Sequence, residues 1–124
     1  MARILIAEDE LAVRTFVSRA LELRGHSIVA VEDGGAAARA LTLEEFDLLL
    51  TDIVMPVMDG IALALQAAAE HPDMPILMMT GYSHERQRAH NLESLIHDVI
   101  SKPFSLDDLC DMVEKALKKG EKRA

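Results

Sequence analysis

The chain has a single cysteine, Cys110, no tryptophan, and an aromatic content of only 3% over 124 residues. One cysteine excludes an internal disulfide, so an apolar core must hold the fold, with Cys110 read as a small apolar residue on a helix. Basic residues are also short, thirteen against twenty-one acidic ones, for a net charge of −8. A domain this acidic repels nucleic acid and anionic lipid, so neither is expected as a partner. Long hydrophobic runs are absent: nothing approaches the ~20 apolar residues that cross a bilayer. Arg3 is followed by only a short apolar run before Glu8 and Asp9, so no secretory leader is expected. These absences together lead us to expect a cytoplasmic location.

What is present is enough for one core, since half the residues are apolar. Five short apolar runs stand out, Ile4–Ala7, Ile28–Val31, Leu48–Leu50, Ile76–Met79 and Val99–Ile100. They do not alternate with polar residues, which suits strands buried on both faces of a parallel sheet. Between them lie helical patterns. Val13, Phe16, Val17 and Ala20 form an apolar stripe, and Gly25 is placed to stop that helix. The segments 36–43 and 61–69 are Ala-rich helix formers. Ser105 can cap a last helix, with Asp107 and Asp108 in its first turn, Leu106, Leu109, Val113 and Leu117 on its buried face, and Lys118 and Lys119 closing it.

Strand and helix thus alternate five times, predicting a doubly wound five-stranded parallel α/β sheet with right-handed crossovers. We expect the domain to span residues 1–119, with 120–124 as a short tail and no output domain. No internal repeat or low-complexity stretch interrupts it.

In open α/β sheets, ligands bind at the carboxyl ends of the strands. Here those ends carry Glu8-Asp9, Asp52, Thr80 and Lys102-Pro103. Three carboxylates at one rim raise each other's pKa unless positive charge sits among them. With oxygen ligands only, a hard divalent cation fits, and together with Lys102 it would neutralise the cluster. That combination points to phosphoryl transfer with an aspartate as nucleophile. His26, His71, His84, His90 and His97 are scattered and read as surface residues.

Four stretches carry a resemblance: Ala7-Glu8-Asp9-Glu10, residues 50–60 (LTDIVMPVMDG), Met79-Thr80-Gly81 and Ser101-Lys102-Pro103-Phe104. Together and in this order they resemble the receiver domain of two-component response regulators, a CheY-like superfamily with a flavodoxin-like fold and strand order 2-1-3-4-5. Residues 48–56 (LLLTDIVMP), Thr80-Gly81-Tyr82 and Val99 to Pro103 are most similar to the single-domain alphaproteobacterial receivers of CpdR type, which control delivery of substrates to an ATP-dependent protease.

The resemblance implies that Asp52 accepts a phosphoryl group from a phosphohistidine on a histidine kinase or histidine phosphotransfer protein. It implies Mg2+ as cofactor, with Asp9, Asp52 and the backbone carbonyl of Val54 as ligands and Glu8 acting mainly through a water. Thr80 and Lys102 would contact the phosphoryl group, Lys102-Pro103 would be a cis peptide, and Gly60 would supply an unusual backbone angle in the turn behind the acceptor. One departure stands out. Receivers often place Tyr or Phe where this chain has Val99, so an aromatic switch partnered with Thr80 is not available, and Tyr82 is the remaining candidate reporter. The output is expected to be a protein contact on the fourth helix, fifth strand and fifth helix. Passing the phosphoryl group onward in a relay is the alternative.

Two other classes fit poorly. A dehalogenase-type phosphatase needs a second Asp two residues after its nucleophile, and that position is Val54. A flavodoxin-like carrier needs a phosphate-cradling loop after the first strand, where Glu8-Asp9-Glu10 would repel the phosphate. The chain is therefore expected not to be an enzyme acting on outside substrates.

Overall fold

A computed structural model describes residues 2–81 and 96–123. In chain order it contains β1 (Arg3–Ala7), α1 (Leu11–Leu23), β2 (Ser27–Val31), α2 (Gly34–Leu43), β3 (Leu48–Asp52), α3 (Gly60–Glu70), β4 (Ile76–Thr80), β5 (Asp98–Ser101) and a C-terminal helix (Leu106–Arg123). All strand pairs are parallel, in the order β2-β1-β3-β4-β5. The chain reverses its direction of winding between β1 and β3, so a crevice opens between the carboxyl ends of these two strands.

Successive strand residues point to opposite faces, which explains the unbroken apolar runs. Leu5, Leu49, Ile76 and Met78 face α2 and α3 and pack with Ala37, Leu41, Leu63 and Ala67. Ile4, Ile6, Leu50, Leu77 and Met79 face the other way, against Val17 and Leu21 of α1 and Leu109 and Val113 of the C-terminal helix. Cys110 is buried in this second layer, as expected of a small apolar residue. No helix among the described residues is long and apolar enough to cross a membrane.

Local signals place the helix ends. Gly25, at φ 92°, ends α1, and its N–H donates to the Glu22 carbonyl. Asp33 caps α2 by accepting from the Ala36 N–H at 2.7 Å, and Ser105 accepts from Asp108 N–H at 3.1 Å.

Three expectations need correction. Phe16 is not on the buried stripe of α1: it is 42% exposed, while Leu21 takes the core position beside Val17 and Ala20. Its ring instead meets Phe104, centroids 6.3 Å apart, and both rings line the same cleft. The C-terminal helix does not close at Lys119 but runs through Gly120 to Arg123. A glycine weakens a helix by about 1 kcal/mol without ending it, and good helix formers follow here. Finally, Gly60 does not supply the unusual backbone angle. Among the described non-glycine residues the positive φ belongs to Val57, at 71°, whereas a Cβ on Gly60 would lie 2.0 Å from the Asp52 carbonyl oxygen. Gly60 is required by close approach, which a sequence pattern does not distinguish from a requirement of angle.

Candidate functional site

The crevice at the β1/β3 switch gathers four of the sequence-selected side chains. Glu8 follows β1 directly, and its N–H donates to Val31 O at 3.1 Å, extending the ladder by one residue. This carries Glu8 inside, where it is fully buried, and leaves Asp9 on the exposed rim. Asp52 ends β3 and is 7% exposed. Oxygen atoms of Glu8, Asp9 and Asp52 lie within 4.8 Å of one another.

Lys102 enters from the far side of β4. Its backbone N–H donates to the Thr80 carbonyl at 2.7 Å, continuing the β5 ladder past Ser101, and its bond to Pro103 is cis. The ammonium then reaches two carboxylates, Glu8 at 2.7 Å and Asp52 at 3.0 Å. Thr80 itself is buried at the end of β4.

The charges do not balance. Three carboxylates face one ammonium, so burial dominates where Lys102 does not reach well. Asp52 is pushed up to about 7, first by burial and then by the Glu8 charge, with Lys102 only partly offsetting them. Burial pushes Glu8 up too, but hydrogen bonds from Lys102 and the Glu10 N–H outweigh it and its pKa is lowered. Asp9 is raised, by partial burial and by its contact with Glu8. Lys102 is raised despite burial, because it donates to Glu8 and lies beside the charge of Asp52. An under-neutralised set of oxygen donors, open to solvent at Asp9, fits a hard divalent cation.

A cleft of about 690 Å³ opens over this cluster. Its polar wall holds Asp9, Asp52 and Lys102, and its apolar wall includes Phe16, Val54 and Phe104. Val54 is 56% exposed at the rim. Val99 sits on β5 beside Met78, half-buried against the α2/α3 layer and away from the cleft. Tyr82, and the fourth helix expected between Thr80 and Val99, lie outside the described residues.

Sequence reasoning passed over Arg14. Its guanidinium donates to the Glu8 carbonyl at 2.9 Å and the Asp9 carbonyl at 3.5 Å, tying the first turn of α1 to the acidic loop. The available signal was its place one turn into the helix that follows Glu8-Asp9. The Phe16–Phe104 pair was also missed, because helical spacing alone assigned Phe16 to the core.

The sequence pattern of the response regulator receiver domain matches residues 4–114. The chain is 43% identical over 117 residues to the response regulator receiver protein CpdR of Brucella abortus (strain 2308), covering 94% of this chain and 98% of that protein. It is 35% identical to the DNA-binding transcriptional regulator NtrC of Klebsiella pneumoniae over 90% of this chain but 24% of that protein. Among solved structures, a CheY-like receiver domain protein from Methanospirillum hungatei JF-1 superposes with a TM-score of 0.93 at 29% identity, covering 100% of this chain and 99% of the other. The response regulator TrrA of Thermotoga maritima, solved in complex with Mg(2+)-BeF, gives a TM-score of 0.85 at 29% identity over 94% and 99% of the two chains.

Proposed function

The chain belongs to the response regulator receiver domain family, and from that premise we propose that Asp52 accepts a phosphoryl group from a phosphohistidine partner and thereby switches a protein–protein contact. The observation that carries this reading is the placement of Lys102 between Glu8 and Asp52, with Asp9 completing a carboxylate cluster at the sheet's switch point.

In the transfer, an Asp52 carboxylate oxygen attacks phosphorus while the phosphorus–nitrogen bond of phosphohistidine breaks. The electron pair stays on the imidazole nitrogen, and a proton on the other ring nitrogen lets that ring leave neutral. Lys102, already 3.0 Å from Asp52 Oδ2, holds the carboxylate in place and faces the incoming phosphoryl oxygens. Thr80, at the end of β4, would offer its hydroxyl to the transferred group. Asp9, Asp52 and the Val54 carbonyl would hold Mg2+, with Glu8 acting through a water. When bound, Mg2+ supplies the positive charge that offsets the phosphoryl oxygens. A Mg(2+)-BeF complex of TrrA supports that assignment by similarity.

Asp52 is used on the chain itself, not for turnover of outside phosphoesters, because Val54 offers no second carboxylate as acid or base. The similarity to CpdR, which runs over 98% of that protein, supports action as a stand-alone receiver whose output is control of regulated proteolysis. The effector would dock on β5, the C-terminal helix and the segment between Thr80 and Val99.

Incubation with Mg2+ and acetyl phosphate, read by intact mass, should add one phosphoryl group to the wild type and none to Asp52→Asn. Equal labelling of the two proteins would overturn the assignment.

A further inference from the structure

Helix α2 begins with two glycines, Gly34 and Gly35, both buried. Glycine is a poor helix former, and neither residue has the positive φ that would demand glycine. Their lack of a side chain is what the fold uses. A Cβ on Gly34 would lie 1.8 Å from the Met58 carbonyl oxygen, and one on Gly35 would lie 2.8 Å from Val57 Cγ1. The loop between β3 and α3 therefore rests directly on the first turn of α2.

That loop is held in a costly shape. The Met58 N–H donates to the Pro56 carbonyl at 2.8 Å across Val57, whose φ is 71°. This is a three-residue turn of the rare positive-φ form, built on a β-branched residue. Val57 is also 83% exposed, so burial of its own side chain does not hold the turn. Strain of this kind persists where surrounding structure over-determines it, and here the surrounding contacts are the glycine pair below and Gly60 behind. Gly60 N–H donates to Ile53 O at 2.6 Å, and its Cα abuts the Asp52 carbonyl.

We propose that Gly34 and Gly35 are positioning residues for the phosphoryl-transfer site. They seat the Val57 turn, and through it fix the backbone from Asp52 to Val54, including the Val54 carbonyl that would offer an oxygen to Mg2+. The proposal rests on the reading of the metal site given above. None of these glycines touches the reacting atoms. A Cβ at Gly34 moves the backbone of Met58, and one at Gly35 moves a stiff valine already in an unusual conformation. Either change lifts the loop away from the arrangement that brings Val54 to Asp52. Contacts that orient metal ligands are commonly worth tenfold or more in metal affinity.

The test compares wild type, Gly34→Ala, Gly35→Ala, Val57→Gly and the Gly35→Ala/Val57→Gly double variant in isothermal Mg2+ titrations followed by amide chemical shifts, which give the midpoint, beside melting temperatures in chelator and in Mg2+. Stabilisation by a bound ion grows with its concentration over its Kd, so a purely structural defect lowers the metal-free melting temperature but leaves the Mg2+ increment unchanged. The expected result is an Mg2+ midpoint shifted upward about tenfold in Gly34→Ala and Gly35→Ala. Removing the Val57 side chain should restore the midpoint in the double variant to that of Val57→Gly alone. Should Gly34→Ala not fold, Gly35→Ala and its rescue carry the test, because its clash is with a side chain. Unchanged midpoints in folded alanine variants would overturn the positioning role alone. No saturable Mg2+ effect in the wild type would overturn the metal-site reading, and the positioning role with it.

Discussion

Lys102 stands closer to Glu8 than to Asp52, 2.7 Å against 3.0 Å, and Glu8 is the more deeply buried of the two. The lysine is thus the counter-charge of an interior glutamate as well as a neighbour of the acceptor. Removing it strands that charge. Lys102→Met should destabilise the metal-free protein by about 3 kcal/mol in urea unfolding, the low end for a buried pair left with one partner uncompensated, because the lysine keeps some solvent. Adding Glu8→Gln should recover part of the loss. An unchanged unfolding midpoint in Lys102→Met would show that the pair contributes nothing to stability.

The acceptor makes stability depend on pH. Asp52 is pushed up to about 7 in the fold, against about 3.9 in an unfolded chain. Between those values the native state binds the extra proton, so stability contributed here falls as pH rises from about 4 to about 7. In chelator, Asp52→Asn should therefore melt above wild type at pH 8, with the gap closing toward pH 4. A gap that widens on acidification would reverse the sign of this argument.

Metal binding should separate the two acids that follow β1. Asp9 is exposed at the rim, whereas Glu8 is already engaged by Lys102 and the Glu10 N–H. Asp9→Asn should lose most Mg2+ affinity and Glu8→Gln distinctly less, as read by titration of the melting temperature. The opposite ranking would exchange their roles.

Thr80 is buried at the end of β4, and its carbonyl holds the Lys102 N–H at 2.7 Å. Thr80→Ala keeps that backbone bond but removes the hydroxyl that would distinguish the phosphorylated state from the free one. Labelling from acetyl phosphate should remain within a few-fold of wild type. The change in amide exchange on adding beryllofluoride should shrink, because a population shift requires differential contact. Full retention of that change in Thr80→Ala would place the switch on other residues.

Arg14 ties the first turn of α1 to the carbonyls of Glu8 and Asp9. Arg14→Met should weaken Mg2+ binding while leaving its own helix intact, because methionine matches its helix propensity. Circular dichroism and the Mg2+ titration together check this. Equal Mg2+ midpoints in folded protein would reduce Arg14 to a surface contact.

The sequence by itself determined the alternation of elements and the composition of the rim. Unbroken apolar runs such as 48–50 suit only strands covered on both faces, and charged residues at the ends of those runs had to meet at one sheet edge. Periodicity, however, records which residues are apolar and not what lies against them. Phe16 matched the helical stripe of α1, yet tertiary packing turned it toward Phe104. A glycine in sequence signals freedom of angle or freedom of space without saying which. At Gly25 it is angle, and at Gly34 and Gly60 it is space, because segments distant in the chain press on their Cα atoms. The partition of Lys102 between Glu8 and Asp52 was likewise decided only in three dimensions. It depends on a one-residue extension of the β1 ladder that draws Glu8 inside and leaves its neighbour Asp9 in water.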